Sequence, residues 1–337
     1  MKAQLLERPN DPFRLVDVPR PTPRPGEVLV RIHASGVNPL DTKIHAGTAA
    51  HARHPLPAIL GIDLAGVVEE LGDGVVTFRQ GDEVYGMTGG VGGVPGSLAE
   101  FAAVDSRLLA HKPANLSMRE AAALPLVAIT AWEGLVDRAH LSSGQSVLVQ
   151  GGAGGVGHVA VQLARAFGAD VHATVSERHF DEVARIGATP IDRALPVGEQ
   201  VKRHAKGEGF DVVYDTVGGK VLDASFEAVR RFGHVVSILG WGTHALAPLS
   251  FKAGTFSGVF TLLPLLSGVG REHHGEILAR SAALVEAGKL SPRLDPRTFG
   301  LADAESAHAA VASGGAAGKI VVTVVDDAEA AGRRSPR

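Results

Sequence analysis

Gly152, Gly154 and Gly157 fall on the spacing G-x-G-x-x-G inside SVLVQGGAGGVGHVAVQLARAFGADVHATVSER, the run from Ser146 to Arg178. That spacing is phosphate chemistry. The first glycine permits a tight turn, the second lets the backbone approach a pyrophosphate, and the third lets a helix pack closely on its strand. The backbone of Gly154, Gly155, Val156 and Gly157 is then expected to contact the pyrophosphate at a helix N-terminus. An NAD enzyme usually ends its second strand with a carboxylate for the ribose 2′-OH. This chain has Ser176 there, followed by Glu177 and Arg178. Ser176 is small and neutral, which leaves room for a 2′-phosphate, and Arg178 offers that phosphate a planar fork. NADPH is therefore expected over NADH, although a shift of one residue in register would bring Glu177 to the ribose instead. Arg193, after the third strand, is a second candidate phosphate partner.

The elements that must hold this turn are legible around it. Ser146 to Gln150 reads as a strand, Val156, Ala160, Leu163 and Phe167 recur at helical spacing, and Val171 to Val175 is a second strand. Further strands are expected at Pro190 to Ile191, Phe210 to Asp215, His234 to Leu239 and Val259 to Leu263, alternating with helices. Such alternation argues for a parallel, doubly wound sheet. The text before about residue 124 differs: VLVRIHASGV, GVVEELG, GDEVYGM and SLAEFAAV are short β signals broken by prolines and glycines. That reads as an irregular β-barrel-like domain. Two helical stretches are expected over Met118 to Ala139 and another over Glu276 to Ala287. A last strand, Lys319 to Val325, has no place in a six-stranded sheet and is assigned back to the first domain. The tail 326–337 is expected to fray. The boundaries are 1–124 with 268–337, and 125–267.

Composition narrows the class. The chain has 337 residues, 45% hydrophobic and 20% charged, with a net charge of −3. This is enough for two domains with cores, and it gives no electrostatic reason to expect nucleic acid or an anionic membrane. No segment has the length and apolar character of a membrane span, and the N-terminus lacks a signal-peptide core, so a cytoplasmic protein acting on a small molecule is expected. There is no cysteine, which removes disulfides, thiolate nucleophiles and cysteine-ligated zinc together. His45, His51 and His54 read as solvated loop residues rather than metal ligands, and His273 and His274 as helix surface. The loop from Gly86 to Gly96 contains six glycines, and a wall that moves on binding is one reading of it.

Several motifs resemble the zinc-independent quinone oxidoreductases, including zeta-crystallin, of the medium-chain dehydrogenase/reductase superfamily. They are ASGVNPLDTKIHAG, LGIDLAGVVEELG, GDEVYG, TAWEGL, the GGAGGVG turn, FDVVYDTVGG and GKIVV, spread over nearly the whole chain. The resemblance implies an α/β protein: a GroES-like β-barrel catalytic domain, a Rossmann domain with a doubly wound parallel sheet, and an active cleft between them. It also implies that NADPH delivers a hydride to a quinone or an α,β-unsaturated carbonyl. Zinc alcohol dehydrogenases of the superfamily carry a G-H-E motif where this chain reads Gly61-Ile62-Asp63. With the ligands gone, no metal is expected and reduction of an already electron-poor acceptor is favoured over alcohol oxidation.

For the reacting groups the resemblance points to Asn38, Asp41 and Lys43, with Thr130 near the nicotinamide. Asn38 would donate to a substrate carbonyl or to the cofactor amide, or serve as a turn residue before Pro39. Asp41 stands as a helix cap or as an acid. Relatives often carry a tyrosine where this chain has Lys43, so the proton is expected from a partly buried lysine or from water. Val217, Leu239 and Gly240, at the carboxyl ends of strands four and five, are expected to border the ribose or the nicotinamide. Ser257 to Leu263 suits an edge strand pairing across a two-fold axis, hence a homodimer. Two other functions remain open: an NADPH-binding protein with little turnover, and a residual alcohol dehydrogenase.

Overall fold

The computed structural model describes residues 1–325, so the tail expected to fray, 326–337, lies outside them. Its contacts divide the chain into two compact units, Met1–Leu126 with Leu262–Glu286 and Pro292 onward, and Val127–Thr261 with Ala287–Ser291.

The first unit is organised by the strand Glu27–Val37, eleven residues long. Its alternate residues Val28, Val30 and Ile32 turn into one core with Leu64, Val68, Val84 and Val104, as the two-residue side-chain period of a strand requires. Along its length it pairs antiparallel with Asp63–Leu71 and, at one end, with Phe101–Asp105. At its other end it pairs antiparallel with Ile320–Thr323, in the register Ile320 to Val37. The last strand, Ile320–Thr323, is therefore part of the sheet of the first unit. A separate three-stranded sheet is built on Lys2–Leu6. The loop from Gly86 to Gly96 folds on its neighbours, with Gly92 N donating to Ala52 O at 2.9 Å and Gly90 N to Val94 O at 3.0 Å.

The second unit is a six-stranded sheet, all parallel, in the order Thr189–Asp192, Asp170–Val175, Ser146–Gln150, Phe210–Asp215, Val229–Ser237, Thr255–Gly258. The chain moves outward from Ser146–Gln150 in one direction and then in the other, which is the doubly wound arrangement. Two strand assignments need correction. The fifth strand begins at Val229, not His234. The sixth is Thr255–Gly258, and the apolar run expected to form it, Val259 to Leu263, leads instead into the helix Leu263–Ser267. Pro264 accounts for this, because a residue without an N–H suits the first turn of a helix and interrupts a ladder. The expected edge segment Ser257 to Leu263 thus contributes only Ser257 and Gly258 to the sheet edge.

Two histidine readings also change. His274 lies in the helix Arg271–Glu286 with no exposed surface, while His273 beside it is partly exposed. The helical period puts neighbours on different faces. His45 ends the helix Pro39–His45 and is not in a loop. It stacks on Phe13 with ring centroids 4.8 Å apart, and its Nε2 lies 2.8 Å from Asp11 O. His51 sits in the single turn Ala50–Ala52, and His54 Nδ1 accepts from Gly93 N at 3.3 Å. Among the described residues no helix is long and apolar enough to cross a membrane.

Candidate functional site

The glycine turn in the second unit is shaped by close approach. A Cβ on Gly157 would stand 2.1 Å from Gly151 O, and one on Gly152 would stand 2.6 Å from the Ala173 Cβ. Neither position admits a side chain. A Cβ on Gly154 would meet only Gly151 O, at 3.3 Å, and Gly154 and Gly155 are exposed. Gly154 is the N-cap of the twelve-residue helix Gly155–Ala166, and no side chain caps it. The first N–H groups of that helix, at Gly155, Val156 and Gly157, are the ones a helix leaves unpaired. An open glycine turn and an uncapped helix start are what a pyrophosphate needs, so the residues fit a dinucleotide. The turn is braced from below: Thr174 Oγ1 donates to Gln150 Oε1 at 2.7 Å and accepts from Gly151 N at 3.1 Å.

The other cofactor candidates sit on strand ends of the same sheet. Ser176 follows Asp170–Val175, is half-buried, and makes no side-chain cap bond to the single turn Glu177–His179. Arg178 and Glu177 are exposed; Arg178 Nε donates to His179 Nε2 at 3.1 Å. Arg193 is exposed after Thr189–Asp192, its N bonded to Val175 O at 2.9 Å. Val217 is exposed in the turn after Phe210–Asp215, and Leu239 and Gly240 follow Val229–Ser237. These two turns are joined by a residue that sequence reasoning missed. The fully buried Asp215 accepts from Val217 N and Gly218 N, both at 3.0 Å, and from Ser237 Oγ at 2.7 Å. Ser237 Oγ in turn accepts from Leu239 N at 3.1 Å. The available signal was an aspartate closing a strand just before Thr-Val-Gly-Gly. Thr130 is buried, with its hydroxyl 3.1 Å from that of Thr261, which donates to Glu133 at 2.9 Å.

The first unit holds a cluster of buried polar side chains. Register explains it. The pairing of Ile320 with Val37 makes Lys319 and Asn38 the next residues on facing strands, and Gly36 faces Asp63. Asn38 is 1% exposed and its side chain is engaged at both ends: Oδ1 accepts from Lys319 Nζ, and Nδ2 donates to Asp63 Oδ2 at 2.9 Å. Its backbone N donates to Asp41 Oδ2 at 2.8 Å, so Asn38 is the N-cap and Asp41 the third residue of a capping box on Pro39–His45. Lys319 Nζ also donates to Val37 O at 3.2 Å and lies 3.7 Å from Asp63 Oδ2. Asp63 Oδ1 accepts from Leu126 N at 2.9 Å.

Burial dominates the titration of this cluster. It pushes Asp41 up to about 7, reinforced by the like charge of Asp63 and opposed by the Asn38 N–H and by Lys319. It pushes Asp63 up to about 6 against Lys319 and the Asn38 and Leu126 donors. It pulls Lys319 down, against the attraction of Asp63 and Asp41. Asp41 Oδ1 is buried with no hydrogen-bond partner. Lys43, the lysine singled out as a proton donor, is exposed. The lysine of this cluster is Lys319, with 9% of its side chain exposed, whose only sequence signal was its place in GKIVV. Both tyrosines of the chain are buried and committed: Tyr85 OH donates to Leu278 O at 2.6 Å and Tyr214 OH to Thr130 O at 2.8 Å. Among the described residues, no group of three or more His, Asp or Glu is arranged to hold a metal ion.

Two family models match the chain. The family described as alcohol dehydrogenase GroES-like domain matches residues 24–114, and that described as zinc-binding dehydrogenase matches residues 179–322. The 2-methylene-furan-3-one reductase of Solanum lycopersicum is 38% identical over 304 residues, 88% of this chain and 71% of its own length. The chloroplast envelope quinone oxidoreductase homolog of Arabidopsis thaliana is 34% identical, covering 91% of this chain and 92% of its own. The solved structure of an alcohol dehydrogenase superfamily protein from Novosphingobium aromaticivorans is 59% identical with a TM-score of 0.95, covering 96% of this chain and all of its own. The chain therefore belongs to the zinc-independent quinone oxidoreductase-like family of the medium-chain dehydrogenase/reductase superfamily, and it is a reductase enzyme of that type.

Proposed function

We propose that the protein is an NADPH-dependent reductase that moves a hydride to a quinone or an α,β-unsaturated carbonyl without a metal ion, working as a homodimer. The observation that carries the reading is the open glycine turn at the uncapped start of Gly155–Ala166, followed one strand later by Ser176 and Arg178 in place of a carboxylate. Bound there, the reduced nicotinamide supplies a hydride. Gly155, Val156 and Gly157 would bind the pyrophosphate through their backbone N–H groups, while Gly154, whose own N donates to Gly151 O at 3.0 Å, would line the turn as the N-cap, and Asp215 fixes the turns carrying Val217 and Leu239. Arg178 and Arg193 supply the positive charge that a 2′-phosphate needs.

The metal-free reading rests on chemistry. The chain has no cysteine, and Asp63 of Gly61-Ile62-Asp63 is occupied by Asn38, Leu126 N and Lys319. The acceptor class rests on relatives named for a methylene-furanone and for a quinone, both electron-poor. The homodimer rests on the sheet edge at Thr255–Gly258, which pairs with Val229–Ser237 on one side.

Steady-state oxidation of NADPH and NADH by the purified protein, with panels of quinones and enones, tests the reading. Acceptor-dependent oxidation that favours NADPH and survives chelation is expected. Tight NADPH binding with no acceptor-dependent oxidation would make the protein a cofactor-binding protein with little turnover. Alcohol-dependent reduction of NADP⁺ lost on chelation would make it an alcohol dehydrogenase.

A further inference from the structure

His244 of the second unit is bonded in a way that a neutral imidazole cannot satisfy. It lies in the irregular segment between the strand Val229–Ser237 and the short helix Ala247–Ser250, and from Trp241 to Leu246 every other residue is exposed. Its Nδ1 stands 2.7 Å from Asp223 Oδ1, on the helix Lys220–Ala228, and its Nε2 stands 3.1 Å from Trp241 O. The ring also meets the buried Phe226 edge to face, with centroids 6.5 Å apart. A carbonyl oxygen only accepts, and so does the carboxylate of Asp223, which has 51% of its side chain exposed to water. Two acceptors on one ring demand two N–H donors. Neutral imidazole has one, and imidazolium has two. The segment that these bonds tie down carries Trp241, 57% exposed, whose indole stands edge-on to Phe260 with centroids 6.3 Å apart. All of these residues belong to the part of the second unit that runs from Val127 to Thr261.

We propose that His244, as an imidazolium bridging Asp223 and Trp241 O, is a positioning residue that pins the segment Gly240 to Leu246 at the carboxyl end of the fifth strand, and that this latch opens when the ring loses its second proton. In that step one N–H bond breaks, the proton passes to water, and the electron pair stays on the ring nitrogen. One of the two bonds must then go. The carboxylate is the stronger acceptor, so the ring keeps Asp223 and releases Trp241 O. Bonds that favour the charged ring raise its pKa in the folded chain. The latch is therefore complete below the ordinary histidine value, about 6.5, and is lost as pH rises through the raised one. The direction of titration agrees, since the bond to Asp223 first and the bond to Trp241 O second hold His244 above its ordinary value. The charges facing the ring are Asp223 from the helix Lys220–Ala228 and Asp215 from the strand Phe210–Asp215, the latter acting by charge alone; residues 239–250 carry no other ionisable side chain. One consequence rests on the proposed function: Leu239 and Gly240, from which the segment leaves the strand, border the bound cofactor, so the latch sets NADPH affinity.

Magnetic resonance of the full chain labelled with ¹⁵N-histidine reads the ring, and the signals missing from His244→Ala identify it. Acrylamide quenching of fluorescence reads the segment, because of the two tryptophans Trp132 is 4% exposed and Trp241 is the accessible one. Loss of the second ring proton should be centred above about pH 6.5, and quenching should rise through the same transition. Trp241→Phe should flatten the quenching profile. Asp223→Asn should bring both transitions down toward about pH 6.5, and His244→Ala should show at low pH the quenching that the wild type reaches at high pH. A proton loss centred at or below the ordinary histidine value overturns the bridge. Quenching that ignores the titration, or that stays at the low-pH level of the wild type in His244→Ala, overturns the pinning. The dissociation constant of NADPH should rise at least about threefold across the transition in the wild type and stay flat in His244→Ala; a constant that is flat in the wild type overturns the link to the cofactor. If no dinucleotide binds, that link goes with the proposed function, and quenching still decides the latch.

Discussion

Asp41→Asn gives a sharp test of the electrostatics of the first unit, read as stability against pH. Asp41 is held at about 7 in the folded chain, chiefly by burial. Unfolded, it titrates in the ordinary range near 3.9. Between those values the folded chain keeps a proton that the unfolded chain has released. Stability therefore falls as pH rises from about 4 to about 7 and levels off above. An asparagine imitates the protonated acid, accepts the same Asn38 N–H, and escapes the penalty. Linkage puts the penalty at about 1.5 kcal/mol at pH 5 and about 4 kcal/mol at pH 8. The variant should thus gain about 2.5 kcal/mol on the wild type between those two pH values. Asp63, relieved of a like charge, shifts in the same sense. Urea unfolding of both proteins at the two pH values, followed by circular dichroism, gives the difference. A wild-type advantage that grows with pH would refute the reasoning, because it would mean that Asp41 is stabilised as a carboxylate.

The cofactor half makes its own predictions. Gly157→Ala places a methyl 2.1 Å from Gly151 O, so NADPH affinity measured by fluorescence titration should drop at least about tenfold, with far-ultraviolet circular dichroism little changed. Arg178→Ser should weaken NADPH by about tenfold, ~1.4 kcal/mol, and leave NADH where it was; equal losses for both would remove Arg178 from the 2′-phosphate. Sedimentation equilibrium should find a dimer, and a monomer at micromolar concentration would leave the edge at Thr255–Gly258 unpaired.

Short-range signals carried most of what the sequence revealed. Ser146–Gln150 and Phe210–Asp215 have the bounds expected of them, because each is a compact apolar run closed by turn residues. The glycine turn was legible for the same reason: its chemistry lies within six residues. Val259 to Leu263 misled because an apolar run has no period to separate strand from helix, and Pro264 decided it. The cluster of the first unit was only half legible. Asn38 and Asp41 are neighbours in sequence, but Lys319 bonds Asn38 across 281 positions, and only the strand register brings them together. Asp63 read only as the last residue of Gly61-Ile62-Asp63, where the G-H-E motif is lost; its bonds to Asn38 and Leu126 give it a use that spacing does not reveal.

The central claim is hydride transfer from NADPH to an electron-poor carbon without a metal. It is tested most directly by incubating chelator-treated protein with NADPH deuterated at the transferring C4 position and an enone, then analysing the product by mass spectrometry. The account predicts one deuterium on the β-carbon of the saturated ketone, in equal amount to the NADPH consumed. Product without deuterium, or transfer that ceases on chelation and returns with zinc, would contradict it.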